Sequence, residues 1–337
     1  LAFSLAPRHS PEIREEPLKM SLRLDPVPQS ASVKTDGIAP DEGKRLQRLA
    51  ICGTTLVLCF AKPLFDLVRY ALASELYSYI LLVPFISGYL IWINKHNLAL
   101  DSRPVRARAF PPLLIGVAIL AGYWIAVGAG WKPGAESHLG LMMLSLLALL
   151  VSAGFLCLGV ETMCRAAFPL ALLLFIIPLP DPLLQGIVSF LQHQSADVAN
   201  GLFTLSGMPF LRQDTFFQLP GMSLEVAPEC SGIRSTLVLF ITSLVAGYLF
   251  LRSPWRRAIL TLAVIPLALL RNGFRVFTIG ELCVQIGPHM IHSPIHRRGG
   301  PLFFALSLVP FFLLLLWLRK GERKSTRRAE PGPASNT

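Results

Sequence analysis

Charge is scarce in this chain. Only 15% of its 337 residues are Asp, Glu, Lys or Arg, against 53% hydrophobic, and the mean hydropathy is +0.56. A soluble domain of this length needs more charge than that to cover its surface, so the composition excludes that class and points to a membrane protein with several crossings. A basic stripe is also missing. The net charge of +11 comes from Lys and Arg in short clusters between and beyond apolar runs; these are orientation signals, and nucleic acid is excluded as a partner. Cysteine is present without organisation: Cys52, Cys59, Cys157, Cys164, Cys230 and Cys283 stand singly, with no CxxC and no even spacing. That excludes a disulfide scaffold and a thiolate metal cluster, and leaves each thiol to be judged alone. No HExxH and no repeat at a fixed period occurs, and neither a metal nor a cofactor is expected.

What the chain has is apolar runs, at about 48–68, 77–94, 111–130, 139–159, 166–179, 232–251, 255–270 and 301–318. They predict an all-α polytopic membrane protein with about eight transmembrane helices. Lys62-Pro63 interrupts the first run, and the fifth is short for a hydrocarbon core of ~30 Å. Residues 1–47, punctuated by Pro7, Pro11, Pro17, Pro26, Pro28 and Pro40, read as a disordered cytoplasmic tail. Residues 48–320 read as the transmembrane domain, and 321–337 as a second disordered tail, basic and cytoplasmic. Between the fifth and sixth runs, Leu184, Ile187, Val188, Leu191 and Val198 recur at helical spacing among polar residues, which predicts a helix lying in the interface. After it, Thr215–Leu219 and Met222–Val226 flank Pro220-Gly221 and predict a short β-hairpin in the outer loop.

Lys and Arg are about three times as numerous in segments 1–47, 95–110, 160–165, 252–257 and 319–337 as in the segments that alternate with them. The first set is therefore read as inside. Cys230, Arg271, Arg275, His289, His292 and His296 then all fall at the outer face. The outer arginines run against the bias, and charge kept near a membrane against the topology rule marks function by default. An ion pair to Asp181, Glu225 or Glu281 is the structural alternative.

The segment Ala227-Pro228-Glu229-Cys230-Ser231-Gly232-Ile233-Arg234-Ser235 joins a polar loop to the sixth run. A thiol where a helix begins feels the positive end of the dipole and unpaired N–H groups, and both favour the thiolate. The plain alternatives are a small buried thiol or a disulfide to Cys283. Arg271 and Arg275, four apart, share one helix face at the outer end of the seventh crossing. A guanidinium there stabilises a thiolate or an oxyanion. Arg234 either faces the thiolate or closes the helix start against Glu229. A histidine supplies proton transfer near neutrality, with His289, His292 and His296 the candidates. The same three histidines would make a zinc protease, although Pro294 interrupts a regular helix between the last two. A transporter or channel, the non-enzyme alternative, asks for polar residues spread along a path; here they gather at one surface.

Gly207-Met208-Pro209-Phe210-Leu211-Arg212, Leu219-Pro220-Gly221, the cysteine segment from Val226 to Ser235, Asn272-Gly273-Phe274-Arg275-Val276, and His296 with Gly300 and Phe304 together resemble the exosortase/archaeosortase family. The resemblance extends upstream to Tyr77-Ser78-Tyr79 and Pro84–Leu90, and so covers about 48–318. It implies a membrane cysteine protease/transpeptidase, in the bacterial inner membrane with its active site on the periplasmic side, that cleaves C-terminal sorting signals of the PEP-CTERM type from secreted proteins. Matched position by position, it implies Cys230 as nucleophile, Arg275 as charge stabiliser and His296 as acid/base. Its implied partners are those secreted proteins, membrane lipids and an amine acceptor, for which exopolysaccharide and lipid-linked groups are the candidates.

Overall fold

A computed structural model describes residues 40–95, 106–228, 231–287, 289–290 and 300–329, with side chains from 43 to 322 of these. Helix α1 (Pro40–Cys59) and helix α2 (Ala61–Ala73) form a pair bent by 68°. The bend falls at Phe60, and Pro63 sits in the first turn of α2, where its missing N–H leaves no bond unmade. The interruption expected at Lys62-Pro63 is this break.

A 3₁₀ turn (Tyr77–Leu81) leads into α3 (Val83–Ile93), followed by α4 (Arg106–Gly128) and α5 (Ala135–Leu158). Helices α4 and α5 approach closely because Gly116 has no Cβ: one added there would lie 2.9 Å from Leu149. Ser145 and Ser152 on α5 donate to the carbonyls of Gly116 and Ala109, both at 2.9 Å, so each hydroxyl is satisfied across the interface. Short helices α6 (Val160–Arg165) and α7 (Ala167–Leu172) and a 3₁₀ turn (Leu173–Ile176) complete this half, with Ser87 of α3 donating to Pro169 at 2.8 Å. The fifth apolar run is thus broken, and it meets the next helix, α8 (Asp181–Ser206), at 91°.

The amphipathic segment and the hairpin expected after it are both present. Helix α8 is followed by β1 (Leu211–Gln213), β2 (Phe216–Leu219) and β3 (Met222–Glu225), an antiparallel sheet in the order β1-β2-β3. Gly221, at φ +81, makes the Pro220-Gly221 turn between β2 and β3. Strand β1 is an addition to the expected pair. The chain continues through α9 (Ile233–Phe250), α10 (Pro254–Leu262), α11 (Val264–Gln285) and α12 (Gly300–Ala329).

Five helices among the described residues are long and apolar enough to cross a membrane, α10 and α11 counting as one; each bent pair taken as a span makes seven. The second expected run, 77–94, is the shorter apolar helix Tyr77–Ile93, opened by a 3₁₀ turn before Pro84. The protein is an integral membrane protein built almost wholly of helix.

Three segment boundaries differ from the expectation. Residues 40–47, read as tail, belong to α1, where Pro40 and the acidic Asp41-Glu42 suit a helix start; the expected disorder of 1–39 lies outside the described residues. The outer loop expected from 271 begins later, because α11 continues to Gln285. Arg271 and Arg275 therefore sit within that helix and not at its end: its second half packs on α8 and β3, which lets polar residues break the apolar pattern without ending the helix. Last, α12 runs on to Ala329, through residues assigned to the basic tail. Its Arg, Lys and Glu residues are good helix formers, and Glu322 accepts from the backbone N–H groups of Arg252 (3.1 Å) and Ser253 (2.7 Å), which ties it to the start of α10.

Candidate active site

The cysteine segment enters α9 through Gly232, the residue before its first turn, at φ +73 and ψ 16. Left-handed backbone here is natural only for glycine. The Gly232 carbonyl is a focus of donors: Thr236 N–H at 3.0 Å, Thr236 Oγ1 at 2.9 Å and Ser235 Oγ at 3.0 Å. A fourth arrives from another helix, for Arg271 of α11 donates Nη2–H to the same carbonyl at 3.2 Å and to Thr236 Oγ1 at 3.3 Å. Arg271 is 8% exposed, and its Nη1 is buried without an acceptor. No carboxylate pairs with it among the described residues, so the ion pair weighed from sequence is replaced by main-chain and hydroxyl acceptors. A Cβ at Gly232 would lie 3.1 Å from both Arg271 Nη2 and Asn272 Oδ1, so a larger residue would have to push both side chains back by a few tenths of an ångström.

Ser231 is buried, and its N–H donates to Pro228 at 3.1 Å. Glu229 and Cys230, between them, lie outside the described residues, as do His292 and His296. Arg275 is half-buried one turn along α11 from Arg271, on the same face. His289 is exposed. Cys230 and Glu229, the two partners weighed for Arg234, lie outside the described residues; its Nη1 lies 3.5 Å from Glu75 at the loop before Tyr77. Cys283 is a free, buried thiol in the apolar cluster of α8, the sheet and α11.

Helix α8 braces this region, by contacts that sequence reasoning missed. Gly273 and Gly280 of α11 admit it: added Cβ atoms would meet Val198 at 2.5 Å and Phe203 at 2.6 Å. Gln192 donates to the Val226 carbonyl, just beyond β3. Arg212 bridges Asp197 Oδ1 and the Asp214 carbonyl, both at 2.7 Å, and His193 Nε2 lies 3.2 Å from Asp214 Oδ1. The only sequence signal for these was the polar face of an amphipathic helix. Chemically, the start of α9 gathers unpaired N–H groups, the positive helix end and the Arg271 charge. That field favours an anion, whether a thiolate or an oxyanion.

A family model described as transmembrane exosortase matches residues 71–313. No curated protein and no solved structure matches the chain.

Proposed function

The chain belongs to the transmembrane exosortase family, and from that premise we propose that it is a cysteine protease/transpeptidase that processes C-terminal sorting signals of secreted proteins. Cys230 is the nucleophile, Arg275 the charge stabiliser and His296 the acid/base. The substrate signal is of the PEP-CTERM type, and the enzyme sits in the bacterial inner membrane with its site on the outer side. One observation supports this reading above others: Arg271 holds the Gly232 carbonyl, two residues past Cys230, so the arginine face of α11 and the cysteine segment meet.

The Cys230 thiolate adds to the scissile carbonyl, forming a C–S bond and an oxyanion. Arg275 stabilises that charge. Collapse breaks the C–N bond, and protonated His296 gives its proton to the leaving amine. The thioester left on Cys230 is then attacked by an amine, whose proton His296 takes as the thiolate departs. Water in place of the amine gives hydrolysis.

The test is co-expression with a secreted reporter ending in such a signal, comparing wild type with Cys230→Ala, Arg275→Ala and His296→Ala, membrane insertion being verified for each. The reading requires processing to stop in the cysteine variant and fall at least about a hundredfold in the other two. Processing that persists in Cys230→Ala would overturn it.

A further inference from the structure

The edge of β3 that faces away from β2, unpaired among the described residues, leads straight to the cysteine segment. Leu219 and Met222 are partners across the two-residue Pro220-Gly221 turn, and Val226 N–H donates to the Thr215 carbonyl at 3.0 Å. In an antiparallel ladder, hydrogen-bonded and non-hydrogen-bonded pairs alternate. Met222 and Leu224 therefore direct their N–H and C=O groups at β2, and Val226 its N–H, while Ser223 and Glu225 direct theirs away from it. Both of these residues are exposed, and no described residue takes their backbone groups. The opposite edge of the sheet is different: β1 is three residues long, leaving the single residue Arg212 facing outward, and its side chain is tied to Asp197 on α8.

We propose that β3 receives an extended segment of the substrate as a fourth strand, with Ser223 and Glu225 donating and accepting main-chain hydrogen bonds. This rests on the processing reaction proposed above and adds how the sorting signal is held. An open strand edge is a template for an extended peptide, and such pairing recognises the main chain itself. The occupant follows from what the edge leads to. Glu225 precedes Cys230 by five residues, a reach of at most about 18 Å. A strand docked on β3 thus lies within about five extended residues of the reacting thiol, where a cleavable peptide has to be held open.

The edge donors can be removed without touching the hairpin, since proline at 223 or 225 deletes only an outward N–H. Processing of the reporter is measured for Ser223→Pro and Glu225→Pro, each against the alanine variant at the same position, which retains the N–H. Each proline variant is expected to raise KM about tenfold over its alanine counterpart with kcat little changed. Equal KM values for proline and alanine, in membranes where Cys230→Ala abolishes processing, would overturn the strand-docking inference and leave the reaction standing. In parallel, peptide substrates N-methylated at single amides near the cleavage site are presented to the wild-type enzyme, which guards against a proline variant that fails to insert. Losses at alternate amides support docking; uniform tolerance of N-methylation contradicts it.

Discussion

Arg271 donates to the carbonyl of Gly232 at 3.2 Å, joining α11 to the turn that follows Cys230. The contact brings a buried positive charge to a backbone position that only glycine fills without strain.

Gly232→Ala therefore carries two penalties. The residue keeps φ +73, and its new Cβ would sit 3.1 Å from Arg271 Nη2 and Asn272 Oδ1. The strain alone costs about 1–2 kcal/mol. Thermal unfolding in detergent should register that loss, and processing should fall by more than the loss of folded protein explains.

Arg271→Met should separate stability from activity. The guanidinium is buried with Nη1 lacking an acceptor, and the Gly232 carbonyl keeps three other donors. Replacing such a charge by an apolar side chain is expected to leave stability unchanged or raise it by up to about 2 kcal/mol, while processing drops at least about tenfold. A variant that is destabilised by several kcal/mol would show that the arginine is chiefly structural.

Gly280→Ala should loosen the packing of α8 on α11, since its Cβ would lie 2.6 Å from Phe203 and 3.1 Å from Leu219. A cost of about 1–3 kcal/mol is expected. Phe203→Leu shortens the obstructing ring, so the double variant should lose clearly less than the two single losses combined. Additive losses would mean the two residues do not oppose one another.

Glu322→Ala tests whether the last helix is anchored beyond its apolar part. Its carboxylate accepts from the N–H groups of Arg252 and Ser253 at the start of α10. Losing it should cost about 1–2 kcal/mol in thermal unfolding, and Glu322→Gln should recover part of that.

The parts of the fold that were legible in the sequence were those with a local cause. Pro220-Gly221 announced the hairpin, and the spacing of Leu184, Ile187, Val188 and Leu191 announced α8, because turn chemistry and helical period act over a few residues. The length of α11 was not legible. Arg271, Asn272 and Arg275 break its apolar run, and what keeps it helical is packing against α8 through Gly273 and Gly280, which the pattern alone does not reveal. The same holds at the site. Composition around Cys230 singled out the segment, but the Arg271–Gly232 contact spans 39 positions and the Arg234–Glu75 pair 159, so no spacing rule reaches either.

The central claim, an acyl-enzyme on Cys230, is tested most directly by trapping it. Wild-type protein is incubated in membranes with a substrate ending in a sorting signal, quenched in acid, and the Cys230 peptide is examined by mass spectrometry with and without hydroxylamine. The account predicts a substrate fragment on Cys230 that hydroxylamine releases. Continued cleavage with no adduct on Cys230, at the same rate in Cys230→Ala, would contradict it.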